Sequence, residues 1–248
     1  MVALAVLLVT GVYAPLVLLA DLFGVKERPG GIYERLMRSW ARAINRAAGI
    51  ELRVHGRENI PKGHGAVYIA NHVSWFDIFA LAAELPRYTF IAKSELRRIP
   101  LFGSAAETAG IVFIERENRK AAFESYKHAA QEVQRGRSII VCPEGTRGRD
   151  YHLRPFKKGP FVLAIASQSP IIPTIVYGAR EVMPKGSFRV RSGVVDIHLL
   201  EPVSTAGYDY EHRGELMTKV WTRMAAALRD LYGVGTSEQP VAAERETV

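Results

Sequence analysis

The run Asn71-His72-Val73-Ser74-Trp75-Phe76-Asp77 sets an imidazole and a carboxylate five residues apart. A carboxylate can hold one imidazole nitrogen protonated and leave the other as a base for a hydroxyl proton. On one continuous helix the two side chains diverge by about 140°. Ser74 followed three residues later by Asp77 instead reads as a capping box that starts a helix at Trp75. His72 then sits in the turn before the helix, where it can fold back towards Asp77. The competing reading makes Asp77 a cap and His72 a plain turn residue. A second constellation is Val141-Cys142-Pro143-Glu144-Gly145-Thr146-Arg147-Gly148. Here a buried strand runs into a loop offering backbone N–H groups, a hydroxyl, a carboxylate and a guanidinium. Such a loop suits phosphate, with Arg147 making paired bonds to its oxygens; a solvated turn is the plainer alternative. Gly110-Ile111-Val112-Phe113-Ile114-Glu115-Arg116 is a strand ending in an arginine, and Ser169-Pro170-Ile171-Ile172-Pro173 is an apolar strand with prolines. Each of these two, taken alone, reads as core.

The elements that must position these groups follow from periodicity and breakers. Strands are expected over 51–55, 66–70, 89–92, 111–114, 138–142 and 171–176, and helices over 75–83, 119–135, 159–167 and 211–232. Pro173 inside its strand favours an edge or a strand end. Residues 188–192 and 194–199 read as a hairpin around Gly193. Alternating strands and helices predict a single α/β domain over 50–232, a mixed β-sheet flanked by helices. The polar stretch 233–248 reads as an unstructured tail.

Residues 1–49 read as a membrane-associated helical region. Residues 1–20 carry no charge, and as a helix they are about 30 Å long, the thickness of a bilayer core. Gly11 and Pro15 interrupt them, so a kinked or shallow insertion is equally open. No Lys or Arg precedes them, which argues against a signal peptide. Beyond Pro29-Gly30-Gly31, one helical face gathers Ile32, Tyr33, Leu36, Met37, Trp40, Ile44 and Ala47, and Arg35, Arg38, Arg42 and Arg46 form a stripe opposite. That pattern fits a helix lying in a membrane interface; it also fits a surface helix with its apolar face on the protein core. Basic residues follow the apolar stretch and none precedes it, which places the main domain on the cytoplasmic face.

The net charge of +8 suits an anionic partner of some kind. No recognition motif points to nucleic acid. The single cysteine, Cys142, excludes an intrachain disulfide. The seven histidines show no H-x-x-x-H spacing and no Cys/His cluster, so no metal site is expected.

Taken together and in order, the motifs resemble the 1-acylglycerol-3-phosphate O-acyltransferase (lysophosphatidic acid acyltransferase) family. That family has an N-H-x4-D block, a G-x-x-F-I-x-R block, an E-G-T-R block and an apolar V-P-I-x-P block. Lys93-Ser94-Glu95-Leu96 and Phe156-Lys157-Lys158-Gly159 are similar to further family segments, and the resemblance runs over roughly 54–200. One departure is Cys142, where the family usually has Phe before Pro-Glu-Gly.

The resemblance implies that His72 is the general base and Asp77 its orienting partner. It implies that Lys93, Arg116 and Arg147 hold a phosphate in a pocket shaped by Glu144, Gly145 and Thr146. Pro170, Ile171, Ile172 and Pro173 would line the acyl side. The implied reaction moves an acyl group from acyl-CoA or acyl-acyl carrier protein to the free hydroxyl of lysophosphatidic acid at a membrane, giving phosphatidic acid. No tightly bound cofactor and no metal are implied. Another lysolipid acceptor, such as a lyso-ornithine lipid, would need the same chemistry. A non-catalytic lipid-binding protein would not need the His72/Asp77 pair.

Overall fold

The computed structural model describes residues 2–115 and 119–235. In chain order the elements are α1 (Val2–Leu22), α2 (Ile32–Ala47), β1 (Ile50–His55), β2 (Val67–Ala70), α3 (Trp75–Glu84), β3 (Tyr88–Lys93), α4 (Phe102–Thr108) and β4 (Val112–Ile114). They continue with α5 (Arg119–Gln134), β5 (Ser138–Val141), α6 (Gly159–Ser167), β6 (Ile171–Tyr177), α7 (Ala179–Val182), β7 (Gly193–Leu199) and α8 (Arg213–Tyr232). Of the tail expected from 233 onward, residues 236–248 lie outside the described residues.

The strands form one seven-stranded mixed sheet in the order β1-β7-β6-β2-β5-β3-β4. From β6 to β4 neighbouring strands are parallel, and helices such as α3 make the crossovers that parallel pairing requires. β7 turns back antiparallel to β6, and β1 runs parallel to β7. β2 and β5 are buried at every position, as expected of strands covered on both faces. One face packs Val133 of α5, Phe161 of α6 and Leu216 and Val220 of α8. The other packs Ala41 and Ile44 of α2, Phe76 and Leu81 of α3 and Val182 of α7.

Two sequence expectations are corrected. Residues 188–192 form no strand, and Gly193 opens β7 rather than making a turn. The reason is that both edges of β7 are already taken, by β1 and β6, so no ladder is free for a hairpin partner. Pro173 lies in an interior strand rather than at a sheet edge. β6 pairs with β2 through it, and the β7 ladder begins only at Thr174. The Pro173 carbonyl accepts from Leu200 N (2.9 Å), just past the end of β7. The donor that proline lacks therefore falls where no β7 ladder bond is required.

α2 is continuous with the core. Its apolar face lies on the protein, with Tyr33 and Ile44 buried and Met37 and Trp40 partly covered. Two arginines of the opposite stripe are also engaged. Arg38 donates to Leu85 O (2.8 Å) and to Glu34 (2.6 Å), and Arg42 Nε donates to Ala83 O (3.1 Å). These carbonyls lie at the carboxyl end of α3, Ala83 in its last turn and Leu85 at its C-cap, where a cation is favoured by the helix dipole and by unpaired acceptors.

Candidate active site

The site forms where β2 and β5 end, at the carboxyl edge of the parallel strands, the usual binding crevice of an open α/β sheet. The chain leaves β2 through Asn71, which is buried and doubly bonded to the neighbouring strand. Asn71 Nδ2 donates to Val176 O (3.0 Å), and its Oδ1 accepts from Val176 N (2.7 Å). The turn carrying His72 is thereby fastened to β6. Ser74 then caps α3: its Oγ accepts from Phe76 N (3.2 Å) and donates to Met183 O (2.7 Å) beyond α7.

Asp77 is fully buried, and a single oxygen does three things. Oδ2 accepts from Val73 N (2.7 Å) and Ser74 N (2.8 Å), and stands 2.9 Å from His72 Nδ1. The helix cap and the His72–Asp77 contact therefore share one oxygen. Because Oδ2 is an acceptor for both amides, the proton on the third contact belongs to Nδ1. Nε2 is left with its lone pair, on a side chain that remains 17% exposed.

The loop after β5 closes over the same turn. Glu144 is buried, and its Oε1 accepts from His72 N (3.2 Å), while Gly148 N donates to His72 O (2.7 Å). Both backbone groups of His72 are thus held by this loop. Burial pushes the Glu144 carboxyl up to about 8, against the lowering effect of the His72 amide. Arg147 lies over the Trp75 ring at 5.0 Å, and burial lowers its pKa from the usual guanidinium range. Thr146 is exposed at the loop tip, and its carbonyl accepts from Arg154 (3.5 Å).

The remaining expected site residues are placed less uniformly. Lys93 ends β3 on the same edge of the sheet, with its ammonium half-exposed and paired with Glu95. Arg116 lies outside the described residues. Pro170 to Pro173 are not brought to the dyad. Ile171 and Ile172 are completely buried in the two core clusters and pair with Val67 and Tyr68, at the far end of β2 from His72. Their side chains pack in the core, as in a strand buried on both faces, while Pro170 is half-buried. Asn71, Ser74 and Trp75 were visible in the first motif, but their supporting roles depend on contacts with distant segments.

The family model described as Acyltransferase matches residues 51–177, just over half of the chain. This chain belongs to the acyltransferase family. Among the relatives of this acyltransferase-family chain, a chloroplastic 1-acyl-sn-glycerol-3-phosphate acyltransferase of Brassica napus is 33% identical over 75% of the chain and 52% of its own length. A 1-acyl-sn-glycerol-3-phosphate acyltransferase of Limnanthes douglasii is 39% identical over 63% of the chain and 56% of its own. The chain spans about half the length of these curated relatives. The crystal structure of the 1-acyl-sn-glycerophosphate (LPA) acyltransferase PlsC from Thermotoga maritima matches with a TM-score of 0.65 at 26% identity, over 96% of this chain and 100% of that one.

Proposed function

We propose that this chain transfers an acyl group from acyl-CoA or acyl-acyl carrier protein to the free hydroxyl of 1-acyl-sn-glycerol 3-phosphate, giving phosphatidic acid. The observation that carries the reading is the His72–Asp77 contact of 2.9 Å, made in a turn held on both sides by β6 and the Glu144 loop. Names of relatives that act on this acceptor support the choice of substrate.

In the proposed reaction His72 Nε2 takes the acceptor's hydroxyl proton as that oxygen bonds to the thioester carbonyl carbon. The tetrahedral oxyanion then collapses, the C–S bond breaks, and the departing thiolate takes the proton from the imidazolium. The thiolate is a good leaving group, so no acyl-enzyme is required and Cys142 has no part. Arg147, with Lys93 and Arg116, would hold the acceptor's phosphate. Glu144 and Gly145 would shape that pocket, with Thr146 at its rim. Backbone N–H groups near the Glu144–Gly145 turn are the candidate oxyanion donors, although Gly145 N itself donates to Cys142 O (3.3 Å).

The substrate is an amphiphile, and α1 offers a way to meet it. One side of α1 packs inward through Ala14 and Val17. The other leaves Leu7 70% exposed, together with Leu8, Val12, Leu19 and Leu22, and Phe23, just past the helix, is 81% exposed. An apolar surface of this extent marks an interaction site. Among the described residues no helix is long and apolar enough to cross a membrane. The proposed mode is therefore a helix lying in the interface, with the catalytic domain on the cytoplasmic face.

The test is an acyl-transfer assay on vesicles with both donor types and a panel of lysophosphatidic acid, other lysolipids and monoacylglycerol. Lysophosphatidic acid should be the preferred acceptor, and Arg147→Ala should raise its KM while changing monoacylglycerol use little. Preference for a different lysolipid would keep the chemistry and reject this acceptor. Transfer to none of them would reject the enzyme reading.

A further inference from the structure

A second cluster of chemistry-bearing side chains lies towards the β1 edge of the sheet. β7 lies beside β6, with His198 opposite Ile175 and Asp196 opposite Tyr177, and β1 pairs with the other side of β7. There His55 and His198 stand opposite each other in register. Their rings stack with centroids 4.3 Å apart and an interplanar angle of 11°. Asp196 is two residues before His198, hence on the same face of the strand. Its Oδ1 lies 2.7 Å from His55 Nε2. One donor atom from each of the three residues falls within 4.8 Å of the other two. The transfer chemistry uses none of them.

Donors gathered around one ion at 2.0–2.2 Å in tetrahedral geometry sit roughly 3.3 Å from each other. The cluster brackets that separation, and one imidazole must turn out of the face-to-face stack for both nitrogens to point at one ion. Its support is also in place. Tyr232, at the end of α8, puts its hydroxyl 2.6 Å from His198 Nε2, and its ring stacks on Tyr177 at 3.6 Å. Such a partner on one ring nitrogen fixes the orientation in which the other faces an ion. His55 is half-exposed, which leaves an entry path and room for a water ligand.

We propose that His55, Asp196 and His198 form a binding site for a divalent transition-metal ion of the zinc class. Two imidazole nitrogens and one carboxylate select zinc, nickel or copper over calcium and magnesium, which take oxygen ligands. The ion would tie the edge strand β1 to β7 and, through Tyr232, to α8. Its role is structural and is independent of the acyl-transfer reading. The sequence conceals the site because its two histidines are 143 positions apart and meet only through strand pairing.

The test is calorimetric titration of the full chain with Zn²⁺ after chelator treatment, paired with melting curves with and without the ion. Wild type should bind one ion saturably and melt higher with it. His55→Gln and Asp196→Asn should each weaken binding at least about 10-fold and abolish the melting shift, and Tyr232→Phe should weaken it by about 10-fold or more. Melting curves in chelator should show each variant folded. Should Asp196→Asn fail to fold, the half-exposed His55→Gln decides alone. His72→Ala should bind as wild type does. No saturable binding in wild type, affinity unchanged in His55→Gln, or affinity lost in His72→Ala would each overturn the proposal.

Discussion

The turn after β2 and the helix α2 carry equally regular sequence patterns, yet only one of them names its own destination. In the turn, Ser74 and Asp77 satisfy amides of the same short segment, so the pattern itself dictates where the carboxylate goes and where His72 must stand. In α2, an apolar face opposite an arginine stripe satisfies a membrane interface and a protein core alike. The structure assigns that face to the core and uses Arg38 and Arg42 on the end of α3. A motif closed by local hydrogen bonds is self-interpreting; an amphipathic stripe is completed by whatever packs against it.

The sharpest way to break this contrast is Asp77→Asn. The amide oxygen, in the place of Oδ2, can still accept from Val73, Ser74 and His72 Nδ1, but the negative charge that stabilises the imidazolium is lost. Turnover should fall by about 10²–10⁴ with α3 still capped. A loss of folding in circular dichroism, rather than of rate, would show that Asp77 acts only as a cap.

The next effect lies in α2. Arg38→Glu with Arg42→Glu removes two donors from the α3 carbonyls and sets a carboxylate beside buried Glu34. Stability should drop by about 1–3 kcal/mol in urea unfolding. The exposed pair, Arg35→Glu with Arg46→Glu, should leave stability unchanged and reduce binding to anionic vesicles only. Equal stability losses in the two pairs would erase the distinction between structural and solvent-facing arginines.

A smaller effect concerns pH. Burial raises the Glu144 carboxyl from 4.5 to about 8, so the folded state holds a proton there that the unfolded chain has released. That contribution is fully present below about pH 4.5 and is lost as pH rises towards 8. In Glu144→Gln the contribution is absent while the acceptor for His72 N remains. The melting temperature of wild type minus that of Glu144→Gln should therefore decline steadily between pH 5 and pH 8. A flat difference would mean that Glu144 ionises normally.

The same contrast explains what was legible in the sequence. Parallel strands, α3 and α6 followed from apolar runs with caps and breakers near their ends, and the dyad followed from residues five apart. The Asn71 clamp was hidden because its partner, Val176, is 105 residues away. The Phe102–Thr108 helix has too few residues to show a period. Pro170 to Pro173 were assigned to the acyl side by motif order, which does not say which end of a strand faces the site. Arg97 and Glu107, paired across the α4 region, likewise carried no sequence signal because ordinary surface ion pairs have none.

The central claim is that His72 is the base of an acyl transfer, and the most direct measurement is the turnover of His72→Ala with lysophosphatidic acid and acyl-CoA or acyl-acyl carrier protein on vesicles. It is to be taken beside a melting curve and vesicle binding for the same preparation. The account predicts a fall of about 10²–10⁴ in turnover with the melting transition and vesicle binding preserved, because the turn is held through the backbone of residue 72 and the Asn71 clamp. Near-wild-type turnover in a normally folded His72→Ala protein would contradict it.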